Sequence, residues 1–392
     1  MLDDETLRDG LQSPSVRTPS IEHKIRLLHL MDALGMDTAD IGLPGAGPHV
    51  VQDVERLARE IVDAKLAIRP NCAARTVIAD IRPIVEVAQR TGIAIECCAF
   101  IGSSPIRQYA EDWTLDRLER LSAEAITFAV AEGLPVMYVT EDTTRADPES
   151  LRRLYSTAIR AGATRLCIAD TVGHATPSGA RAVVRFVQSV VDECGGGVGI
   201  DWHGHRDRDL AVGNSLAAME AGATRLHGAA LGLGERVGNT PIDVLLANLV
   251  LMGLRDADLR HLPETAQLAS EACGVPLPHN YPIVGRDAFR TATGVHAAAV
   301  IKAYPEGRAG PGGRRLLGRT GQPGRPRAGD RRRPDVRQVE RRLLAREARP
   351  RGRARARGAH LREGQDVGCG AVRRRDPGAM EDVENVEDVE RG

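Results

Sequence analysis

The sequence predicts a closed (β/α)₈ barrel, because short β-branched runs alternate with longer amphipathic stretches eight times within about 250 residues. The strand-like runs lie, in order, near residues 3–7, 38–42, 66–70, 93–100, 135–140, 164–169, 198–203 and 224–228. The helix-like stretches lie near residues 21–34, 48–65, 77–90, 115–132, 147–160, 177–192, 208–221 and 241–252. A chain of 392 residues with 42% apolar residues is long enough for this domain and an appendage.

Helix boundary signals support the same count of units. Pro148 and Pro177 stand where their helices should begin, and Gly162 and Gly222 stand where the preceding helices should end. The alternative is a doubly wound open sheet, which usually has fewer repeats and a glycine-rich phosphate loop after its first strand. The glycine-rich residues 42–47 follow the second strand instead, so we interpret them as a turn.

Composition excludes several classes of protein. No stretch approaches the roughly 20 apolar residues needed to cross a bilayer, and the acidic start of the chain does not resemble a secretory or transit peptide. We therefore expect a soluble, cytoplasmic protein with no membrane partner. The seven cysteines form no CxxC pair, which favours reduced thiols in the core over a disulfide framework.

The net charge of +0 conceals a change in the kind of sequence near residue 304. Residues 304–376 contain 22 arginines and eight acidic residues, and residues 381–390 contain six acidic residues. No lysine follows Lys302, no isoleucine follows Ile301 and no aromatic residue follows Tyr304. This composition predicts a disordered tail over 304–392.

Side chains suited to metal binding follow the strands that meet where the barrel closes. His203 and His205 are two residues apart on the seventh strand, so their imidazoles point to the same side. A lone His-x-His is also compatible with ordinary polar packing. Asp9 follows strand one and Asn239 follows strand eight, however, and strands seven, eight and one are neighbours in a ring. The four residues together predict a catalytic site for a divalent ion such as Zn²⁺, Mn²⁺, Mg²⁺ or Co²⁺.

Three motifs resemble those of the 2-isopropylmalate synthase and homocitrate synthase family of metal-dependent barrel enzymes. They are DETLRDGLQ at residues 4–12, HGH at 203–205 and GERVGN at 234–239. The resemblance covers residues 1 to about 303. The first motif is also similar to that of 3-hydroxy-3-methylglutaryl-CoA lyases, but residues 231–239 lack the reactive cysteine that those lyases carry in this loop.

The resemblance implies a condensation of acetyl-CoA with a 2-oxo acid, assisted by a divalent metal ion held by Asp9, His203, His205 and Asn239. 2-Isopropylmalate synthase activity in leucine biosynthesis is the first expectation, with homocitrate synthase or an inactive metal-binding barrel as alternatives. It also implies a barrel domain over 1–262, the start of a helical lid and dimerisation subdomain over 263–303, and a homodimer.

The resemblance gives two residues roles in the chemistry. Arg8, beside the metal ligand, would stabilise negative charge on the ketone oxygen or the enolate; its alternative is a salt bridge to Glu5 or Glu235. His296 resembles the histidine that family members place on a segment beyond the barrel, where it extends into the neighbouring subunit's site. It would act as the base that deprotonates acetyl-CoA, and an exposed helix histidine is its alternative.

Three further residues match family positions around the substrates. Gln12 and Thr171 would bind substrate, and Glu141 would help to position it. Thr171 and Glu141 could instead cap βα turns. Two residues depart from the family pattern: Arg206 stands where asparagine is usual, although alternation aims it away from the metal face, and Asp209 stands where glycine is common.

Two interpretations of the arginine-rich tail compete. Clustered cations can bind nucleic acid, but a GC-rich gene read out of frame would produce the same loss of lysine, isoleucine and aromatic residues. If residues 315–319 are encoded by CGT-CTA-CTC-GGG-CGC, reading one base later gives Val-Tyr-Ser-Gly, which resembles the family's continuation. We therefore favour a frameshifted tail over a nucleic-acid partner, and sequencing codons 303–315 decides between them.

Overall fold

The computed structural model describes residues 1–290, and these form the predicted closed barrel of eight parallel strands. The strands are β1 Leu2–Asp4, β2 Thr38–Asp40, β3 Arg69–Arg75, β4 Glu96–Gly102, β5 Val136–Glu141, β6 Arg165–Asp170, β7 Gly199–Gly204 and β8 Arg225–Gly228. Each strand pairs with the next, and β1 pairs with β8, with Asp3 opposite His227. Ring closure therefore brings the first residues of the chain beside residues more than 200 positions away.

The helices surround the barrel and bury one face each. They are α1 Ile21–Ala33, α2 Pro48–Asp63, α3 Ile78–Thr91, α4 Pro105–Glu111, α5 Leu115–Ala131, α6 Pro148–Arg160, α7 Pro177–Glu193, α8 Ala211–Ala221, α9 Ile242–Leu251 and α10 Leu262–Cys273. The predicted starts of α6 and α7 are confirmed, since the side chains of Asp147 and Thr176 accept hydrogen bonds from the first turns of these helices. α10 packs against α1, and the predicted boundary at residue 262 falls at its start.

The inside of the barrel is unusual because it contains charged side chains. Asp3, Asp201 and Arg225 are no more than 1% exposed, whereas barrel interiors are usually filled by branched apolar residues. Apolar packing inside is limited to a small cluster of Cys98, Met137 and Cys167, with Val139 against it. The main hydrophobic core lies instead between the sheet and the surrounding helices.

Two local predictions were wrong. The third strand was expected at 66–70 but begins at Arg69, because the Asp32 carboxylate accepts the N–H groups of Ala67 and Ile68 and holds them in a loop. Helix α4 was not predicted, because it buries no residue and so has no amphipathic pattern. The predicted turn at 42–47 is confirmed and contains a short 3₁₀ turn.

Two other expectations bear on membranes and on disulfides. None of the helices within residues 1–290 has both the length and the apolar character needed to cross a membrane. The six cysteines in this part of the chain are free, and five of them are buried. Residues 291–392, which include His296 and the arginine-rich tail, lie outside the described part of the chain.

Candidate metal centre

Three predicted metal ligands converge at the carboxyl end of the barrel. The Nε2 atoms of His203, on β7, and His205, directly after it, are 3.1 Å apart. The Oδ2 atom of Asp9 lies 3.8 Å from each of them. Asp9 and His205 are buried, and the side chain of His203 is 11% exposed. Two imidazole nitrogens and one carboxylate oxygen therefore share one small volume at the barrel mouth.

Asp9 reaches this volume because the chain turns tightly after β1. The N–H groups of Arg8 and Gly10 both donate to the carbonyl of Glu5, at 3.2 and 2.9 Å. A 3₁₀ turn over Asp9–Leu11 follows. Because β1 lies next to β8, and β8 lies next to β7, this turn places the Asp9 carboxylate over the histidine pair.

Asn239 is brought to the site by a loop that folds back onto the end of β7. Asn239 pairs with His205 in an isolated antiparallel bridge, and Thr240 N–H donates to the Gly204 carbonyl at 2.8 Å. The Asn239 Nδ2 donates to the Leu233 carbonyl at 2.9 Å. Its Oδ1 atom is buried and has no hydrogen-bond partner among residues 1–290.

These residues fit a divalent ion. Asp9 Oδ2 and Asn239 Oδ1 are both buried acceptors without a hydrogen-bond donor in the described part of the chain, which is unfavourable unless a cation or water satisfies them. Burial, together with the neighbouring His203, lowers the pKa of His205 to about 4, so its ring is neutral and able to bind a metal at neutral pH. Imidazole nitrogens and carboxylate or amide oxygens are ligands that several divalent ions accept.

The outer side of His203 contacts a buried carboxylate that sequence reasoning missed. His203 Nδ1 lies 2.7 Å from Glu5 Oε2. Burial lowers the pKa of His203, but the Glu5 carboxylate outweighs this effect and raises it above its ordinary value. Glu5 also lies 3.0 Å from His227 Nδ1, and His227 Nε2 lies 2.9 Å from Asp201. Residue spacing of two along β7 and β8 was the available signal, since it puts Asp201 with His203 and Arg225 with His227.

Arg8 lies beside the metal ligands and is also held in ion pairs. Its Nε donates to Asp40 at 2.6 Å, and its terminal nitrogens contact Asp9 at 3.0 Å and Glu5 at 3.4 Å. The alternative contact with Glu5 is thus present, together with an unforeseen and shorter one with Asp40. The side chain is 18% exposed. A role for Arg8 in stabilising negative charge on a substrate stays a prediction.

The other predicted substrate residues lie on loops around the same mouth. Glu141 ends β5, its Oε2 lies 3.7 Å from Arg107, and burial raises its pKa above the ordinary value. The Thr171 hydroxyl accepts the N–H of Asp142 at 2.8 Å, which matches its alternative role in bracing a loop. The side chain of Gln12 is exposed just after the turn that carries Asp9. Their contacts with substrate stay predictions.

The two departures from the family pattern have local explanations. Arg206 Nε donates to the Val237 carbonyl at 2.7 Å, so its cation stabilises the loop after β8. The expectation that Arg206 points away from the metal face agrees with this contact. Asp209 has a φ of 57°, in the left-handed region where glycine is the least strained residue.

The family model described as HMGL-like matches residues 1–269, which include every ligand of the metal centre. The chain belongs to the HMGL-like family. Among its relatives, it is 33% identical over 302 residues to a probable 2-isopropylmalate synthase of Methanopyrus kandleri, covering 76% of this chain and 58% of that protein. It is 34% identical over 300 residues to a homocitrate synthase of Sulfolobus acidocaldarius, covering 76% and 62%. The chain thus spans about three fifths of the length of these two HMGL-like relatives.

A solved structure gives the same fold. The crystal structure of hydroxymethylglutaryl-CoA lyase from Pseudomonas aeruginosa matches with a TM-score of 0.58 and 20% sequence identity, covering 77% of this chain and 97% of that one. This likeness supports the barrel architecture of the HMGL-like family and carries no argument about substrate.

Proposed function

We propose that this protein condenses acetyl-CoA with a 2-oxo acid. The single observation that carries the proposal is the meeting of Asp9, His203 and His205 at the barrel mouth, with acceptor atoms left without donors in residues 1–290. A bound divalent ion would act as a Lewis acid on the 2-oxo acid carbonyl. The relatives named as 2-isopropylmalate and homocitrate synthases support this class of reaction.

The proposed reaction forms one carbon–carbon bond and breaks one thioester. The methyl group of acetyl-CoA loses a proton, and its carbon bonds to the ketone carbon of the 2-oxo acid, whose oxygen becomes a hydroxyl. Water then hydrolyses the thioester to a carboxylate and free CoA. The role of proton acceptor falls to His296 in this proposal, and the partner subunit of a homodimer would receive that residue.

Arg8 and Glu141 have positions that suit the remaining steps. Arg8 places an always-charged guanidinium next to Asp9, where it can stabilise negative charge that develops on the ketone oxygen. Glu141 lies at the end of β5, and its raised pKa allows it to hold a proton closer to neutral pH than an ordinary glutamate. Both residues act from rigid ends of barrel strands.

Within this class we favour a substrate with an uncharged side chain, 2-oxoisovalerate, which would make the protein a 2-isopropylmalate synthase of leucine biosynthesis. A second carboxylate, as in 2-oxoglutarate, would need an available cation. The arginines that follow β4, β5 and β8 already have acidic partners: Arg107 contacts Glu111 at 3.5 Å, Arg145 contacts Asp142 at 2.7 Å, and Arg236 contacts Asp207 at 2.7 Å. Homocitrate synthase remains the second candidate, because relatives of similar identity have that name.

The test is release of free CoA by the metal-loaded protein. The protein is incubated with Zn²⁺, Mn²⁺, Mg²⁺ or Co²⁺, acetyl-CoA and either 2-oxoisovalerate or 2-oxoglutarate, and the thiol is detected colorimetrically. We expect release with 2-oxoisovalerate. Release with 2-oxoglutarate alone would select the homocitrate reaction, and no release with any 2-oxo acid, despite metal uptake, would leave an inactive metal-binding barrel.

A further inference from the structure

We propose that Glu5 is a positioning residue for the metal ligand His203, and that His227 and Asp201 hold Glu5 in place. Glu5 lies on the inner side of the metal centre, one turn of chain before Asp9. One carboxylate oxygen contacts His203 Nδ1 at 2.7 Å, and the other contacts His227 Nδ1 at 3.0 Å. A carboxylate that accepts the Nδ1–H of a histidine fixes the tautomer and aims the Nε2 lone pair outward, toward a metal ion.

The geometry also separates the true metal site from a second group that proximity alone would allow. Glu5, His203 and His227 lie close enough to hold an ion between them. Both ring nitrogens of His227, however, contact carboxylates, Glu5 at 3.0 Å and Asp201 at 2.9 Å. A ring that donates to two carboxylates has no lone pair left for a metal. This leaves the Asp9, His203 and His205 group as the metal site and gives Glu5 and His227 a supporting role.

The support continues to the opposite end of the barrel. Asp201 accepts hydrogen bonds from Arg225 at 2.5 Å and from Arg165 at 2.7 Å. Arg225 also donates to Glu96 at 2.6 Å. The residues Glu5, His227, Asp201 and Arg225, which we call the interior charge chain, are each at most 3% exposed. Each member has a partner on both sides, so Glu5 has little freedom to leave His203.

Stability alone does not account for burying these groups. Replacing buried ion pairs by apolar residues of similar size is often neutral or stabilising, because desolvation of charges is costly. Charged side chains that hold a ligand histidine in one orientation have a use that apolar packing could not replace. The inference rests on the metal centre of the proposed function, but not on the reaction, so metal binding without substrates tests it.

The decisive measurement is the Zn²⁺ affinity of Glu5→Gln, obtained by competition with a chromophoric chelator. A carboxamide has one acceptor oxygen, so it cannot accept from both rings. We expect affinity to fall about 10- to 100-fold, the usual effect of removing such a partner. Glu96→Gln is the matched control, because Glu96 is a carboxylate at the other end of the interior charge chain, in contact with Arg225. It should lose stability while keeping wild-type Zn²⁺ affinity.

Nitrogen NMR of the zinc-loaded protein gives a readout that a purely structural role would not change. We expect a protected Nδ1–H signal for His203 in the wild type and its loss in Glu5→Gln. Should that variant not fold, Glu5→Asp is measured instead, because its shorter side chain withdraws the carboxylate from Nδ1. Wild-type affinity in any folded Glu5 variant, or equal losses in Glu5→Gln and Glu96→Gln, would overturn the proposal. No Zn²⁺ uptake by the wild type would instead refute the metal centre itself.

Discussion

Gly238 occupies a position in the loop after β8 where the structure has no room for a side chain. Its φ is +107°, which is strained for residues other than glycine. A Cβ atom at this position would lie 1.8 Å from the carbonyl oxygen of Gly232, which is backbone and cannot rotate away. Gly238→Ala must therefore displace the loop that carries Asn239 to His205.

The cost of this displacement follows from what it disrupts. The strained backbone costs about 1–3 kcal/mol. Two hydrogen bonds are also at stake, from Arg206 N–H to Gly238 O at 3.0 Å and from Asn239 N–H to Gly232 O at 3.2 Å, each of which contributes about 1 kcal/mol. We expect the free energy of unfolding to fall by about 3–5 kcal/mol if the loop keeps its native path. A loop that relaxes instead will lose less stability and more metal affinity.

Urea unfolding and Zn²⁺ competition titrations, performed on the same samples, measure both consequences. Gly253→Ala is the matched control, because Gly253 also has a positive φ, of +71°, but nothing lies within 4 Å of a Cβ built there. The control should lose only about 1–2 kcal/mol of stability and no metal affinity. If the two variants behave alike in both measurements, the steric reasoning about the loop is wrong.

Three further predictions concern buried charge. Asp9→Asn should lower Zn²⁺ affinity by about 100-fold or more in isothermal titration, whereas His174→Ala, an exposed histidine, should leave it unchanged. Burial raises the pKa of Asp243 to about 6 from 3.8, so the folded state retains a proton that the unfolded state has lost. Stability should therefore fall by up to about 3 kcal/mol as pH rises through this interval, and Asp243→Asn should remove that decline in urea melts. Arg225→Met should cost about 3–5 kcal/mol in thermal or urea unfolding, because it leaves Asp201 buried with fewer partners; a loss below 1 kcal/mol would contradict this.

The fold was predictable because its signals are local and repeated. Proline at helix starts, glycine at helix ends and eight alternations of period define the barrel without any knowledge of contacts between distant residues. The errors occurred where a distant residue decides the outcome. Residues 66–68 resemble a strand, but the Asp32 side chain, 35 positions away from Ala67, binds their backbone and delays the strand.

The candidate site was predictable to the extent that it follows strand ends. Asp9, His203 and His205 were found because ring closure makes their strands neighbours, and the structure brings them together. Glu5, His227 and Asp201 were missed because barrel interiors are expected to be apolar, so charged residues on strands were read as solvent-facing. His296 and its predicted role lie outside the described residues and stay predictions.

The closure of β1 against β8 also governs when the metal centre can form during synthesis. Asp9 leaves the ribosome among the earliest residues, but its partner imidazoles and Asn239 emerge only after seven more strands are under way or complete. Until then the first strand has no neighbour on one edge, and no cation can be gripped. Tight metal capture is therefore a property of a ring that has been made whole, and the ion, once held, ties together the earliest and the latest parts of the barrel.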